Sequence, residues 1–187
     1  MQMSAQRRLP AGRATVWTAL NDLETLRESI PGCEKLAWTG DDRLAAEVTT
    51  KVGPIQARFR GTLVLSEQDP PSRLRLTGEG QGGSAGFATG SALISLDPDG
   101  EDGEETMLSY VVEATVGGKL AQVGARLIDA AAARLADQFF DRFTAIIAAS
   151  PSPPQTEDHL RRGLGPALWV PALIVAVLAM VYFFGRS

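Results

Sequence analysis

The chain has 187 residues, of which 44% are hydrophobic, so it is long enough to bury one core and carry an appended segment. Its formal net charge is −4 and it has no dense run of lysine and arginine, which argues against nucleic acid as a partner. The single cysteine, Cys33, excludes an internal disulfide. Because the first twenty residues lack an uninterrupted apolar run, we expect no secretory signal peptide and a cytoplasmic N-terminal domain.

The N-terminal thirty residues predict one strand and two short helices. A strand over residues 1–9 stops at Pro10, and a helix follows over 12–20. A second helix over 23–29 ends before Pro31.

Alternation of apolar and polar residues predicts six further strands. They cover 34–38, 43–52, 55–67, 73–80, 86–96 and 106–116. In the second of these, Leu44 and Val48 alternate with Glu47 and Lys51. Because tight connections rich in glycine, proline and aspartate join most of these strands, we predict an antiparallel meander.

One long helix is predicted over 119–149, where apolar residues from Leu120 to Ile146 recur at helical spacing. Its charged residues form a solvated face, and we expect its apolar face to lie on the sheet. Residues 1–149 are therefore predicted to form one α+β domain, in which a curved antiparallel sheet surrounds a long C-terminal helix.

The remaining residues differ in composition from this domain. Residues 150–166 are rich in proline and polar side chains, as is typical of a linker. Residues 167–184 carry no charge, and eighteen helical residues span about 27 Å, close to the thickness of a bilayer core. They predict a transmembrane helix and a tail-anchored protein. Arg161 and Arg162 outnumber Arg186, which places the folded domain on the cytoplasmic side of an inner membrane.

Residues 78–90 carry six glycines, and Gly78, Gly80 and Gly83 match the dinucleotide pattern G-x-G-x-x-G. In a dinucleotide site the last glycine opens a helix, whereas here a strand follows. We therefore favour other roles for this segment.

Small side chains recur on both predicted walls of the domain. Gly61, Gly78, Gly80 and Gly90 fall at or beside inward positions of the sheet, and residues 130–133 of the helix are alanines. Since protein interiors are close-packed, this pattern favours either close backbone approach or a cavity. The alternative is that alanine simply favours the helix and glycine marks bends in the strands.

Five motifs occur in order along residues 1–149: IPGCE (30–34), KVGPI (51–55), GEGQGGSAGF (78–87), VGGKLAQVGARLID (116–129) and ADQFF (136–140). Together they resemble the carbon monoxide dehydrogenase G-subunit family, which belongs to the START-like (SRPBCC) helix-grip superfamily. The resemblance implies a sheet that grips a long C-terminal helix around an apolar cavity.

The resemblance also implies a role. Family members accompany cytoplasmic molybdenum hydroxylases of the carbon monoxide dehydrogenase type, attach them to the inner membrane, and are proposed to carry a quinone, either menaquinone or ubiquinone. The predicted membrane span agrees with such anchoring, whereas the identity of the partner hydroxylase stays open.

Inward-facing positions supply the candidate ligand site. The alternative for each candidate is an ordinary core position, and the candidate cavity-lining residues are Phe59, Leu63, Leu76, Phe87, Tyr110, Val112, Leu127, Ala131 and Leu135. Among them Tyr110 alone has a polar group, so its hydroxyl is a candidate to bond a quinone carbonyl; the alternative is a bond to the backbone, which buried tyrosines usually make. Gly80, Gly82, Gly83 and Gly86 are predicted to form a flexible portal, because glycine-rich segments open at low cost.

Catalysis is not expected. The only histidine, His159, lies in the predicted linker, so neither a nucleophile–histidine pair nor a histidine metal site is predicted. The favoured function is a membrane-tethered accessory protein that binds an apolar ligand. A lipid or hydrophobic-ligand carrier without a hydroxylase partner, or a cyclase-like enzyme of the same superfamily, is the alternative.

Overall fold

The computed structural model describes residues 2–149, which form seven strands and four α-helices. The strands are β1 (Gln2–Leu9), β2 (Cys33–Trp38), β3 (Arg43–Val52), β4 (Ile55–Asp69), β5 (Arg73–Gln81), β6 (Phe87–Asp99) and β7 (Glu105–Gly117). The helices are α1 (Arg13–Leu20), α2 (Leu23–Ser29), α3 (Lys119–Gln122) and α4 (Ala125–Ala149). The predicted α+β fold is confirmed, with element ends that differ by only a few residues.

All seven strands belong to one antiparallel sheet in the order β1-β7-β6-β5-β4-β3-β2. Strands β2 to β7 form the predicted meander, because each pairs with its neighbour in the chain. Strand β1 pairs with β7, from Gln2 opposite Glu113 to Leu9 opposite Thr106. The sheet therefore has two edge strands, β1 and β2.

The prediction of one continuous helix over 119–149 was wrong in one respect. The chain forms the short helix α3 and then turns before α4 begins at Ala125. Gly124 adopts φ +91°, a left-handed conformation that interrupts an α-helix and that glycine adopts without steric cost. Helix α4 therefore has its own start, which the helical spacing of apolar residues does not reveal.

Two groups of buried apolar side chains hold α4 to the sheet. The first, the Phe143 cluster, joins the second half of α4 to α1 and to strands β1, β6 and β7, and it consists of Leu9, Ala11, Val16, Leu96, Leu108, Tyr110, Phe143 and Ile147. The second, the Leu120 cluster, lies near the start of α4 and consists of Val52, Leu120 and Ala131. The middle of α4 lies between these two clusters.

The outer face of the sheet carries a group of charges around Glu47, which is 8% exposed. The Glu47 carboxylate lies 3.2 Å from Arg58, 3.4 Å from Arg60 and 3.7 Å from Lys35. Burial raises the pKa of Glu47, but the hydrogen bond from Arg60 and the three positive charges outweigh it, so the pKa is lowered. Glu47 therefore stays ionised and links strands β2, β3 and β4.

The predicted linker at 150–166 and the predicted transmembrane helix at 167–184 lie outside the described residues. Within residues 2–149, no helix combines the length and the apolar character that crossing a membrane requires.

Helix α2 begins at a charged cap. The Asp22 side chain accepts a hydrogen bond of 2.8 Å from the backbone N–H of Thr25, which would otherwise lack a partner in the first turn. The hydrogen bonds from the backbone and the side chain of Thr25 lower the pKa of Asp22. Because the pKa is lower in the folded state, the cap stabilises the fold above pH 3.8, and this contribution is lost as the pH falls below that value.

We expect Asp22→Ala to lower the free energy of unfolding by about 1 kcal/mol at pH 7, because the cap is lost. Asp22→Asn keeps a good cap without a titrating group, so it should unfold close to wild type at pH 7 and gain relative stability as the pH falls towards 3. Urea unfolding followed by tryptophan fluorescence at both pH values measures this. If the free energies of unfolding of wild type and Asp22→Asn differ by the same amount at the two pH values, the assignment of Asp22 as a titrating cap is contradicted.

Candidate functional site

A cavity of about 280 Å³ lies between the sheet and the middle of α4. The Phe143 cluster closes it towards one end of α4, and the Leu120 cluster packs towards the other. Helix α2 covers the third side, since it packs against both α4 and β2. The cavity exists because α4 packs fully on the sheet near its two ends and not between them.

The lining is apolar on every side. Strands β1 to β7 contribute Met3, Leu36, Leu44, Leu63, Leu65, Leu74, Leu76, Ala92, Ile94, Leu108, Tyr110 and Val112, the helices contribute Leu20, Leu26, Ala136, Phe139 and Phe140, and the residue after α2 contributes Ile30. Only Tyr110 among these has a polar side-chain atom other than sulfur. Such a lining favours a hydrocarbon-rich or aromatic ligand over a charged one.

Aromatic rings form one wall of the cavity. Tyr110 stacks on Phe140 with ring centroids 5.5 Å apart and an angle of 18° between the planes. Phe139 meets Phe140 edge to face at 5.1 Å and stacks on Phe143 at 5.6 Å. These geometries are the ones that aromatic pairs prefer, so the wall is a continuous packed surface on which a planar ring could stack.

Tyr110 lies on β7 and is 7% exposed. Within residues 2–149, no group is hydrogen-bonded to its hydroxyl. Among residues 2–149 this hydroxyl is not one of the fully buried side-chain atoms that lack a partner, so it borders open space. Buried tyrosines usually bond a protein group instead. The hydroxyl is therefore available to a ligand that carries a hydrogen-bond acceptor.

The edge of the cavity next to β1 carries a charged residue. Arg7 occupies an inward position of β1, in alternation with exposed neighbours, and its guanidinium lies 5.8 Å from the centroid of the Phe140 ring. It also forms an ion pair with Asp137 of α4. Phe140 lines the cavity on one side and a surface cleft with Arg7, Asp137 and Thr144 on the other. Phe140 therefore borders both the cavity and this cleft.

The structure brings four of the nine predicted lining residues into the cavity wall: Leu63, Leu76, Tyr110 and Val112. The other five lie elsewhere among the described residues. Ala131 belongs to the Leu120 cluster and Phe59 packs against it, and Leu135 is half-buried on α4 outside the lining. Phe87 and Leu127 are 40% and 46% exposed, so neither faces the interior.

Several lining residues were not predicted. Leu20, Leu26 and Ile30 belong to the short N-terminal helices and the turn after them, whose packing over the cavity no local pattern reveals. Phe139 and Phe140 lie in the ADQFF motif. Only one of two adjacent helical residues can face straight onto the sheet, so an adjacent aromatic pair was a signal that this part of the helix borders more than a packed seam.

The four glycines predicted as a portal do not line the cavity. Gly80 belongs to β5, and Gly82, Gly83 and Gly86 belong to the loop between β5 and β6. A Cβ atom at Gly86 would overlap the carbonyl of Gly117, and one at Gly82 would overlap the Phe59 ring. Close approach therefore explains Gly82 and Gly86, whereas Gly83 has φ +59°, a conformation that glycine adopts without steric cost, and a Cβ atom at Gly80 would meet open space.

The groups that catalysis would need are sparse near the cavity. Within the described residues, no three His, Cys, Asp or Glu side chains come together in a way that could hold a metal ion. Cys33 is half-buried, and burial raises the pKa of its thiol despite the positive charge of Arg27. A thiol with a raised pKa is a weak nucleophile at neutral pH.

Comparisons of sequence identify a family. The family model of the G-type subunit of carbon monoxide dehydrogenase (CoxG) matches residues 6–148. No curated protein matches the chain.

Solved structures share the fold. A conserved protein from Geobacillus kaustophilus superposes with a TM-score of 0.74 at 28% identity, covering 79% of this chain and 95% of that chain. A START superfamily protein from Mycobacterium smegmatis gives 0.60 at 12% identity, covering 79% and 97%. The Zhui aromatase/cyclase from Streptomyces sp. R1128 gives 0.59 at 12% identity, covering 79% and 93%. The predicted START-like fold is thus confirmed.

We expect Tyr110→Phe to change the free energy of unfolding by less than about 0.5 kcal/mol, because the hydroxyl has no protein partner to leave unsatisfied. Tyr110→Ala should instead cost about 3 to 5 kcal/mol, since it removes the stacking on Phe140 and enlarges the cavity. Urea unfolding of both variants measures the two effects. A loss above about 1 kcal/mol in Tyr110→Phe would show that the hydroxyl has a structural role.

Proposed function

Because the chain belongs to the CoxG family of carbon monoxide dehydrogenase, we propose that it is a non-catalytic accessory protein that binds a quinone in its cavity. We propose further that it recruits a molybdenum hydroxylase of the carbon monoxide dehydrogenase type to the inner membrane. The observation that supports ligand binding is the apolar cavity of about 280 Å³. Its lining includes one hydroxyl without a hydrogen-bond partner among residues 2–149, that of Tyr110, a residue that is 7% exposed.

A quinone ring matches the chemistry of this cavity. It is planar and apolar on both faces, so it can stack on the aromatic wall that Tyr110, Phe139 and Phe140 form. Its carbonyl oxygens accept hydrogen bonds, and the Tyr110 hydroxyl can donate one. A ligand without an acceptor would leave that hydroxyl unpaired, so the cavity favours a quinone over a pure hydrocarbon.

The reaction asks little of the protein itself. A quinone becomes a quinol by taking up two electrons and two protons, and in this proposal the hydroxylase supplies the electrons. The accessory domain has to keep the ring soluble and oriented, for which an apolar wall and one hydrogen bond suffice. The absence of an acid–base pair among the lining residues agrees with this division of labour.

The membrane part of the proposal rests on residues 150–187. The uncharged stretch at 167–184 would cross the bilayer as a helix, and the proline-rich residues 150–166 would tether the domain to it. The arginine distribution would keep the domain and its hydroxylase partner on the cytoplasmic side.

A cyclase is the competing function, since the Zhui aromatase/cyclase shares the fold. At 12% identity this likeness concerns the fold alone. A cyclase needs groups that move protons at the substrate, whereas the lining offers only the Tyr110 hydroxyl. The cavity therefore favours a carrier.

Quinone binding is tested by extracting the protein purified from its native membrane with organic solvent. We expect about one isoprenoid quinone per chain, and we expect Tyr110→Phe to bind the same quinone roughly 5- to 10-fold more weakly because one hydrogen bond is lost. Leu36→Met, a volume-conserving change in the same lining, is the control and should bind normally. An extract without quinone, from protein that is folded, would overturn this part of the proposal.

Recruitment is tested by deleting residues 163–187. We expect the hydroxylase activity towards an artificial acceptor to move from the membrane fraction to the soluble fraction without a change in its total amount. Replacing 167–184 by an unrelated transmembrane helix should return the activity to the membrane. Activity that stays with the membrane after the deletion would contradict the tethering role.

A further inference from the structure

The size of the cavity limits how a ligand can occupy it, and this limit rests on the proposed function. A dry cavity of about 150 Å³ accommodates one benzene molecule, so about 280 Å³ accommodates a ring system of roughly twice that size. A long isoprenoid chain attached to the ring does not fit as well. Such a ligand therefore fills the cavity with its ring, and its chain has to remain outside.

Three of the surface clefts on the described domain differ in their relation to the cavity. One lies on the outer face of the sheet beside Ser91 and Glu113, so the sheet itself separates it from the cavity. A second lies between α4 and β3, beside Lys51 and Arg134, and the Leu120 cluster closes it off. Neither shares a lining residue with the cavity.

The third cleft lies between β1 and α4 and shares Phe140 with the cavity. Here β1 is an edge strand, and no further strand within residues 2–149 covers its outer side. The Phe140 ring is packed against Tyr110 inside, and the Arg7 guanidinium lies against it from the cleft. Arg7 in turn pairs with Asp137, one helical turn before Phe140 on α4.

We propose that apolar ligands enter and leave the cavity between β1 and α4, where Phe140 is the movable wall and the Arg7–Asp137 ion pair holds it closed. Both partners of the ion pair keep solvent contact, with side-chain exposures of 38% and 57%. Exposed pairs of this kind are weak and break readily. Rotation of one phenylalanine side chain then joins the cleft to the cavity without unfolding either packed cluster.

An inward arginine on an edge strand also discourages pairing with another chain, which is a second explanation for Arg7. Because that role does not involve the cavity, the test measures access to the cavity. In a Cys33→Ser background, Ala92→Cys places one thiol on the cavity wall. Monobromobimane, an uncharged bicyclic reagent, forms a thioether with that thiol and releases bromide. Its rate of reaction with the full-length protein, followed by intact mass, reports how often the cavity opens.

Arg7→Ala should raise the rate at this cavity thiol about tenfold, the change expected when an exposed ion pair and a cation–π contact are both lost. Asp137→Asn should raise it less, since the cation–π contact remains. Arg75→Ala is the matched control, because it removes an ion pair with Glu67 of nearly the same exposure, 35% and 56%, away from the β1–α4 cleft. Ser91→Cys, which points to the outer face, should react at one rate in every background.

The proposal is overturned if Arg7→Ala leaves the rate at the cavity thiol unchanged. It is also overturned if Arg75→Ala or Arg134→Ala raises that rate equally, since access would then come from general loosening or from the opposite side of α4. A specific effect of Arg7→Ala together with a quinone-free extract would retain the passage and discard the quinone. A normal quinone content, without a specific effect of Arg7→Ala on the rate, would retain the quinone and discard the passage.

Discussion

Helix α4 is held to the sheet at two places and stands away from it between them. The Phe143 cluster and the Leu120 cluster contain most of the deeply buried apolar side chains near the helix, and the cavity occupies the interval. Close packing at both ends fixes the separation of helix and sheet, so the space cannot collapse without disrupting one cluster. The size of the cavity, its aromatic wall and its shared boundary with the β1–α4 cleft all depend on this arrangement.

The chemistry of the lining decides among the functions that the fold can host. START-like domains are a common scaffold, and what one of them does depends on the side chains that face the cavity. Here those side chains are apolar apart from Tyr110, while ionisable residues such as the group around Glu47 lie outside the cavity lining. Charges arranged in this way link neighbouring strands of the sheet from outside the cavity.

The sequence predicted the fold well and the site only in part, for a physical reason. Alternation along a strand shows which face a residue occupies, and it placed Phe59 and Leu63 correctly on the same face of β4. Whether an inward residue meets a packed cluster or the cavity depends on where α4 crosses the sheet, and no local pattern encodes that. Likewise, helical spacing could not show that the chain turns at Gly124, which altered the register assumed for Leu127.

A domain built around a void also responds to hydrostatic compression. Space enclosed in the folded state disappears when the chain unfolds, so unfolding reduces the volume of the system in proportion to the space that is lost. For this molecule the void is the interval beneath α4, and a guest that fills it removes much of that volume difference. Occupied and empty forms would therefore differ more in their resistance to pressure than similarity of their folds would suggest.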